Sequence, residues 1–399
     1  MALDNLSGLS LILTSQCNMR CSYCYQHAQG VRNMSWRTLR ASLDFALRSS
    51  NPRLNLLFYG GEPLLRFAQI RRAVAHAASR TSDRKRFRYE LVTNGLLLSP
   101  DKADFLEENN FTVLLSFDGP GSQAARGAGT FERLESLVER LKVRNPRLFN
   151  DLLTVVVTVT PRTIQYLASS VDYFIGNGIP RIAVAAAITH FPEWDTAGET
   201  ELDIQFQRVC GSSQVLRNQS GKLRLTLLSP VRKIKEWDQA ECSAAQLSAP
   251  TVDVDGSVYP CPLFARSVQG REVAPFAEVQ ALGRIDDPNL EAQLAVRRTS
   301  RLTSELFAGR RFKYTRYRRC ADCDEVGHCL VCPFSAAYIP GNRDASRVSD
   351  FVCAFNRIAL KYRDLLSPHT SEPTAGLALQ QLREWLSRAT SSLPHSGCG

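Results

Sequence analysis

The sequence predicts an α/β protein: a parallel sheet with crossover helices, open or closed into a barrel, followed by a small loop-rich region held by metal. Two observations carry this. Short apolar runs alternate with helix-like segments through the first half, as strand–helix–strand units require. After about residue 225 that alternation stops, and the cysteines Cys242, Cys261, Cys320, Cys323, Cys329, Cys332 and Cys353 follow. Such a region, with few long apolar runs, is better stabilised by bound metal than by a core.

Strands are expected over 9–14, 54–59, 88–93, 112–117, 152–159 and 180–187. Helices are expected near 35–49, 64–80, 99–109, 130–143 and 162–177. Ser35 precedes "WRTLRASLDFAL" as an N-cap, and Thr130 precedes "FERLESLVERL", with Arg133 where a capping box would have Glu. Further on, "TVDVDGSVYPC" (251–261) alternates about Asp255-Gly256 and reads as a β-hairpin. From about 366 the chain turns Ser/Pro-rich, interrupted by the amphipathic "LALQQLREWLSRA". The expected units are therefore 1–225, 226–365 and a C-terminal helix with a flexible tail over 366–399.

The chain has 399 residues, 44% of them hydrophobic and 22% charged, an ordinary globular balance. No apolar run is long enough to span a bilayer, and the N-terminus lacks the pattern of a signal peptide. We therefore expect a cytoplasmic protein with no membrane partner. Twelve cysteines in a reducing compartment argue for metal or iron–sulfur ligation rather than disulfides. The net charge of +10 is compatible with an acidic peptide or nucleic acid and selects neither. Its densest basic stretch, "GRRFKYTRYRRC" (309–320), reads first as a solvated face beside a metal site.

The chemistry begins at "CNMRCSYCY" (17–25), directly after the first strand. In parallel α/β folds, loops at the C-terminal ends of strands carry the chemistry. Cys17, Cys21 and Cys24 stand there in C-x3-C-x2-C spacing. Structural zinc asks for four protein ligands, and His27 could complete such a set. A cubane cluster on three thiolates is the alternative, and it leaves one iron open to a small molecule. At the end of the second strand comes "FYGGEP" (58–63). Gly60 and Gly61 allow close backbone approach to a ligand, their carbonyls suit an ammonium group, and Glu62 adds negative charge.

On these residues the chain resembles the radical S-adenosylmethionine (radical SAM) superfamily over about 8–190. The resemblance implies a partial (β/α)6 TIM-like barrel. It assigns Cys17, Cys21 and Cys24 to a [4Fe–4S] cluster, Tyr23 to the vicinity of the adenine, and Gly60, Gly61, Glu62 and Pro63 to the methionyl amine. "TNG" (93–95) and "SFDG" (116–119) would face the nucleoside through Asn94, Ser116 and Asp118. The implied chemistry is one-electron cleavage of S-adenosylmethionine to methionine and a 5′-deoxyadenosyl radical, with the protein positioning a substrate C–H bond.

The later cysteines resemble the SPASM extension of that superfamily, which holds two auxiliary [4Fe–4S] clusters, for three in all. Carried over by position, Cys320, Cys323, Cys329 and Cys353 would hold the distal cluster. Cys242, Cys261 and Cys332 would hold the cluster nearer the barrel, whose fourth ligand stays open: Glu236, Asp238 or substrate. The chain departs from the pattern in spacing its last pair C-x2-C instead of C-x3-C.

Two activities of the class compete. Anaerobic sulfatase maturases carry an Asp base after the cysteine equivalent to Cys261, where this chain has Pro262 and Leu263. That favours a maturase of ribosomally made peptides, with formylglycine formation and cofactor-precursor maturation as alternatives. The implied partners are a precursor peptide or protein and an electron donor such as flavodoxin or ferredoxin. With the first strand expected from residue 9, no leader-gripping module is expected ahead of it, and leader recognition would fall to a separate leader-binding protein, to the basic residues at 310–319, or to strand addition along the cleft. Nucleic acid is not expected, because the radical SAM enzymes that modify RNA lack this extension. A non-catalytic iron–sulfur or zinc protein would not need the GGEP segment. The catalytic residues proper stay unassigned, and His328 beside Cys329 reads as a loop residue.

Overall fold

The structure is a computed structural model. It describes residues 3, 6–26, 30–80, 85–220, 224–227, 247–267, 281–298, 312–329, 332, 336, 338–342, 344 and 346–366. Cys242, His27, Glu236, Asp238, Cys398 and the amphipathic stretch after 366 lie outside the described residues.

The first half alternates as expected through residue 186, with an added short helix at 122–126, and a further helix–strand unit follows. Strand β1 (Gly8–Thr14) leads to α1 (Trp36–Leu47), β2 (Arg53–Gly60), α2 (Phe67–Arg80), β3 (Arg86–Thr93), α3 (Pro100–Glu108) and β4 (Thr112–Ser116). There follow α4 (Ser122–Arg126), α5 (Thr130–Arg144), β5 (Leu153–Val159), α6 (Leu167–Gly176), β6 (Arg181–Ala186), α7 (Ala197–Ser220) and β7 (Arg224–Leu227). These seven strands pair in parallel in sequence order. Every residue of β1 is buried, as a parallel strand covered on both faces should be. This is the partial-barrel α/β architecture the sequence predicts.

Ser35 caps α1 as expected, its hydroxyl accepting from the Thr38 amide at 3.0 Å. The start of α5 differs. Gly129, at φ 71°, is the N-cap, and Thr130 is the first helical residue. Only glycine enters that left-handed turn without strain. The exposed faces of α3 and α5 are joined by Asp104 and Arg144, whose guanidinium donates at 2.7 and 3.1 Å. The hydrogen bonds from Arg144 and Asn145 lower the Asp104 carboxyl to about 2. This pair's contribution should be present above 3.8, the ordinary aspartate value, and lost as pH falls through about 2. An NMR titration of Asp104 with its midpoint near 4 would contradict it.

The hairpin expected at 251–261 forms, with β8 (Thr251–Val252) and β9 (Ser257–Tyr259) about Gly256 at φ 90°. Strand β8 runs parallel to β1, and β10 (Gly283–Arg284) pairs antiparallel to β9. The sheet therefore reads β10-β9-β8-β1-β2-β3-β4-β5-β6-β7. The later region thus begins as a continuation of the barrel's own sheet, beside the strand that feeds the cysteine loop.

Helices α8 (Leu290–Arg298), α9 (Asp350–Lys361) and α10 (Arg363–Leu366) complete the described elements. Helix α9 packs on α7 through Phe206 and Phe355, whose rings meet edge to face at 5.4 Å. Around that contact Glu199 accepts from Arg318 at 2.8 Å and also from Arg357, while Lys361 donates to Asp203 at 2.8 Å. The long helix α7 thereby fastens the cysteine-rich region to the barrel.

Candidate functional site

Thr14, Gly60, Thr93 and Ser116 end successive strands, so the loops after them share one edge of the sheet. The β1–β2 register slips by one residue between Ile12–Tyr59 and Thr14–Gly60, which re-aims the chain as it enters the cysteine loop. On that loop Cys17 is exposed, while Cys21 and Cys24 are half-buried. The Met19 amide donates to Cys17 Sγ and the Gln26 amide to Cys24 Sγ, both at 3.4 Å. Burial pushes all three thiols up, Cys21 to about 11, where Arg126 opposes the rise.

The GGEP segment is built against this loop. The Gly61 amide donates to Thr14 O at 2.9 Å and the Glu62 amide to Gln16 O at 2.8 Å. A Cβ at Gly60 would lie 2.3 Å from Thr14 O, and one at Gly61 2.2 Å from Gln16 O. Both glycines are therefore required by backbone-to-backbone contact, before any ligand is considered. Glu62 is fully buried. Its carboxylate accepts from the Leu64 amide at 3.0 Å, Thr93 Oγ1 at 2.8 Å and the Asn94 amide at 2.8 Å. Burial raises its pKa, against those three hydrogen bonds. Pro63 opens the buried turn that follows. The Asn94 side chain donates to Asn18 Oδ1 at 2.8 Å and to Cys17 Sγ at 3.7 Å.

The Asp118 carboxylate takes four hydrogen bonds. It accepts from Tyr23 OH at 2.9 Å, Arg126 Nε at 2.7 Å, Arg126 Nη2 at 3.2 Å and the Thr158 amide at 2.8 Å. Its carboxylate points into this network. Ser116 ends β4 half-buried, its backbone paired with Val156. Three residues that composition and spacing did not single out also belong to the site. Arg126 ends the short helix α4, in a stretch that carries no motif. Tyr25 and Tyr59 share a hydrogen bond between their hydroxyls, with Tyr338 edge-on to Tyr25 at 6.2 Å. Period-two alternation in β2 points Tyr59 to the same face as Leu57, a readable signal that no motif flags.

The described later cysteines separate into two places. Cys320, Cys323, Cys329 and Cys353 line one cavity, together with Lys313, Arg318 and Arg357. Burial, with Cys320 and Cys323 adding, pushes Cys353 up to about 12. Asn356, one turn along α9 from Cys353, donates to Cys329 Sγ at 3.7 Å. Cys261 and Cys332 pack instead against a small apolar core of Ile12, Val254, Tyr259, Phe264, Ala336 and Tyr338, alongside Tyr25 and Tyr59. The C-x2-C pair Cys329–Cys332 is thus split between the cavity and this apolar cluster. Among the described residues, no three His, Cys, Asp or Glu side chains converge on a point fit for a single metal ion. Two arginines of the basic stretch are spent internally, Arg316 on Asp350 at 2.5 Å and Arg318 on Glu199.

The model of the radical SAM superfamily matches residues 11–171, the span holding the cysteine loop, GGEP and both later strand-end segments. These residues are a radical SAM domain. The chain is 26% identical over 172 residues to the radical SAM cyclopropyl synthase TigE of Paramaledivibacter caminithermalis, covering 38% of this chain and 36% of TigE. It is 28% identical over 183 residues to the cysteine-type anaerobic sulfatase-maturating enzyme of Clostridium perfringens, covering 42% and 48%. The match thus spans about half or less of either relative. In fold it is similar to anSMEcpe, solved with bound AdoMet and the Kp18Cys peptide, at TM-score 0.64 and 19% identity over 90% of this chain and 98% of that one. It also resembles Streptococcus suis SuiB bound to its precursor peptide SuiA, at TM-score 0.52 and 16% identity, covering 87% and 76%. The likeness in fold therefore extends beyond the matched residues. Among the described residues no helix is long and apolar enough to cross a membrane.

The residues present fit the group this domain implies. Three thiols on one loop, two of them accepting backbone N–H bonds, would hold three irons of a cubane, and the cluster would supply a fourth iron for S-adenosylmethionine. Four cysteines around one cavity fit a second cluster in donor chemistry.

Proposed function

We propose that the chain is a radical SAM enzyme with an auxiliary-cluster domain over 226–365, acting on a residue of a ribosomally made peptide to install a crosslink or related modification. The observation that carries it is the meeting of the cysteine loop and GGEP on one sheet edge, with Cys261 and Cys332 packed against the same apolar cluster as Tyr59, which directly precedes GGEP. A substrate in the barrel mouth would lie between them. Bound together, cluster and S-adenosylmethionine would supply the 5′-deoxyadenosyl radical that takes hydrogen from the substrate. Cys17, Cys21 and Cys24 would hold the first cluster and the GGEP backbone the methionyl amine. Cys320, Cys323, Cys329 and Cys353 would hold one auxiliary cluster, and Cys261 and Cys332, with Cys242, the other. The sulfatase-maturase-like reading draws support from the relative in C. perfringens. Pro262 and Leu263 after Cys261 weigh against it, since neither can accept a proton. An electron donor such as flavodoxin or ferredoxin and a separate leader-binding protein complete the proposal.

The test is anoxic purification and reconstitution of the wild type and a Cys17/Cys21/Cys24→Ala variant, with iron, sulfide and 5′-deoxyadenosine measured on the same samples. Three cubanes give about twelve irons per chain. The variant should hold about eight and form no 5′-deoxyadenosine. Wild-type protein with about four irons would overturn the two auxiliary clusters, and cleavage surviving in the variant would overturn the proposed activity. A formylglycine aldehyde on a sulfatase-derived peptide would decide for the second reading.

A further inference from the structure

We propose that Arg126 is a positioning residue that clamps the cysteine loop in its ligating shape and makes the cluster held there easier to reduce. The proposal rests on the reading of Cys17, Cys21 and Cys24 as cluster ligands. Arg126 is buried, and its guanidinium holds Asp118 through two hydrogen bonds at 2.7 and 3.2 Å. The guanidinium carbon lies 5.3 Å from the centre of the Tyr23 ring, and Tyr23 OH closes the triangle on Asp118. The Ser22 amide donates to Ala125 O at 2.8 Å, so the end of α4 grips the two residues between Cys21 and Cys24 by backbone and side chain together. Asp118 is itself anchored from the barrel, by the Thr158 amide and by Ser170, whose hydroxyl donates to its carbonyl at 2.7 Å.

A buried ion pair is a costly way to hold a turn unless its remaining hydrogen-bonding groups are satisfied. This one is anchored to the barrel through Thr158 and Ser170 and to the loop through Tyr23, with the guanidinium set over the Tyr23 ring. Burial works against the Arg126 charge, yet Asp118, Tyr23 and Cys21 hold the guanidinium above its ordinary pKa. Charge near the loop then matters, because one-electron reduction adds negative charge to the cluster in a low-dielectric setting. A cation favours that change, and an unpaired Asp118 carboxylate opposes it.

The test uses full-length protein as wild type, Arg126→Met, Arg126→Lys, Asp118→Asn and the Asp118→Asn/Arg126→Met double variant. Two readouts are taken: hydrogen exchange of the Ser22 amide before reconstitution, and the midpoint potential of the S-adenosylmethionine-responsive cluster afterwards. Exchange at Ser22 should quicken at least tenfold in Arg126→Met. The potential should fall in Arg126→Met, rise in Asp118→Asn, and return toward wild type in the double variant and in Arg126→Lys. A clamp without electrostatic effect would leave the potentials alike and overturn the tuning. Unchanged Ser22 exchange would overturn the clamp. Should one variant fail to fold, the remaining potentials still order by charge or do not. Wild-type protein lacking an S-adenosylmethionine-responsive cluster would overturn the underlying reading, and the proposal with it.

Discussion

Gly61→Ala should unfold the site and abolish S-adenosylmethionine binding. Its Cβ would sit 2.2 Å from Gln16 O and 2.5 Å from the Gln16 carbonyl carbon, so no side-chain rotation relieves the clash. The backbone must separate, and with it go the bonds from the Gly61 amide to Thr14 O and from the Glu62 amide to Gln16 O. Overpacking costs about 1–3 kcal/mol and each lost buried hydrogen bond about 1 kcal/mol, so roughly 3–5 kcal/mol is expected. Gly176, at the end of α6, supplies the control, because nothing lies within 4 Å of a Cβ there. Gly176→Ala should be neutral or stabilising by up to about 1 kcal/mol. Urea unfolding and equilibrium dialysis with S-adenosylmethionine measure both. A Gly61→Ala protein as stable as Gly176→Ala would mean that the two loops are not locked as described.

This double duty of Gly60 and Gly61 shows what the sequence could and could not convey. The strands were legible because a parallel sheet buried on both faces writes itself as short apolar runs. The cysteine loop and GGEP were legible because few chemistries need those residues at those spacings. That the glycines serve backbone contact first was not, since the Thr14 and Gln16 carbonyls they meet are specified by no side chain. Helix α7 escaped because its charged and polar residues outnumber its apolar ones. Its buried Leu202, Phe206 and Val209 do keep helical spacing. Helix α9 was hidden by context, a helix among cysteines that read as loop. The Arg126–Asp118–Tyr23 network joins three segments and leaves no local pattern, and "SFDG" pointed Asp118 toward a nucleoside when its oxygens are engaged with Arg126, Tyr23 and Thr158.

Glu62 carries the same lesson into energetics. Glu62→Ala should cost roughly 3–6 kcal/mol, because it leaves the Leu64 amide, the Thr93 hydroxyl and the Asn94 amide without their acceptor in a fully buried site. Glu62→Gln keeps one acceptor oxygen but turns an NH2 toward a donor, and should lose about half as much. The native pKa of Glu62 lies above the ordinary 4.5, so ionising it costs the fold. The advantage of wild type over Glu62→Gln should therefore be greatest below 4.5 and shrink as pH rises through the native value. The damage should also reach the cysteine loop, since Glu62 fixes the Asn94 amide and the Asn94 side chain donates to Asn18 and Cys17. Iron incorporation at Cys17, Cys21 and Cys24 should drop in Glu62→Ala, while any iron held at the proposed Cys320, Cys323, Cys329 and Cys353 site should stay at the wild-type level. If Glu62→Ala matched wild type in urea and lost only affinity for S-adenosylmethionine, the carboxylate would be a ligand to the amine. The hydrogen bonds predict the opposite order: stability first, with binding lost as its consequence.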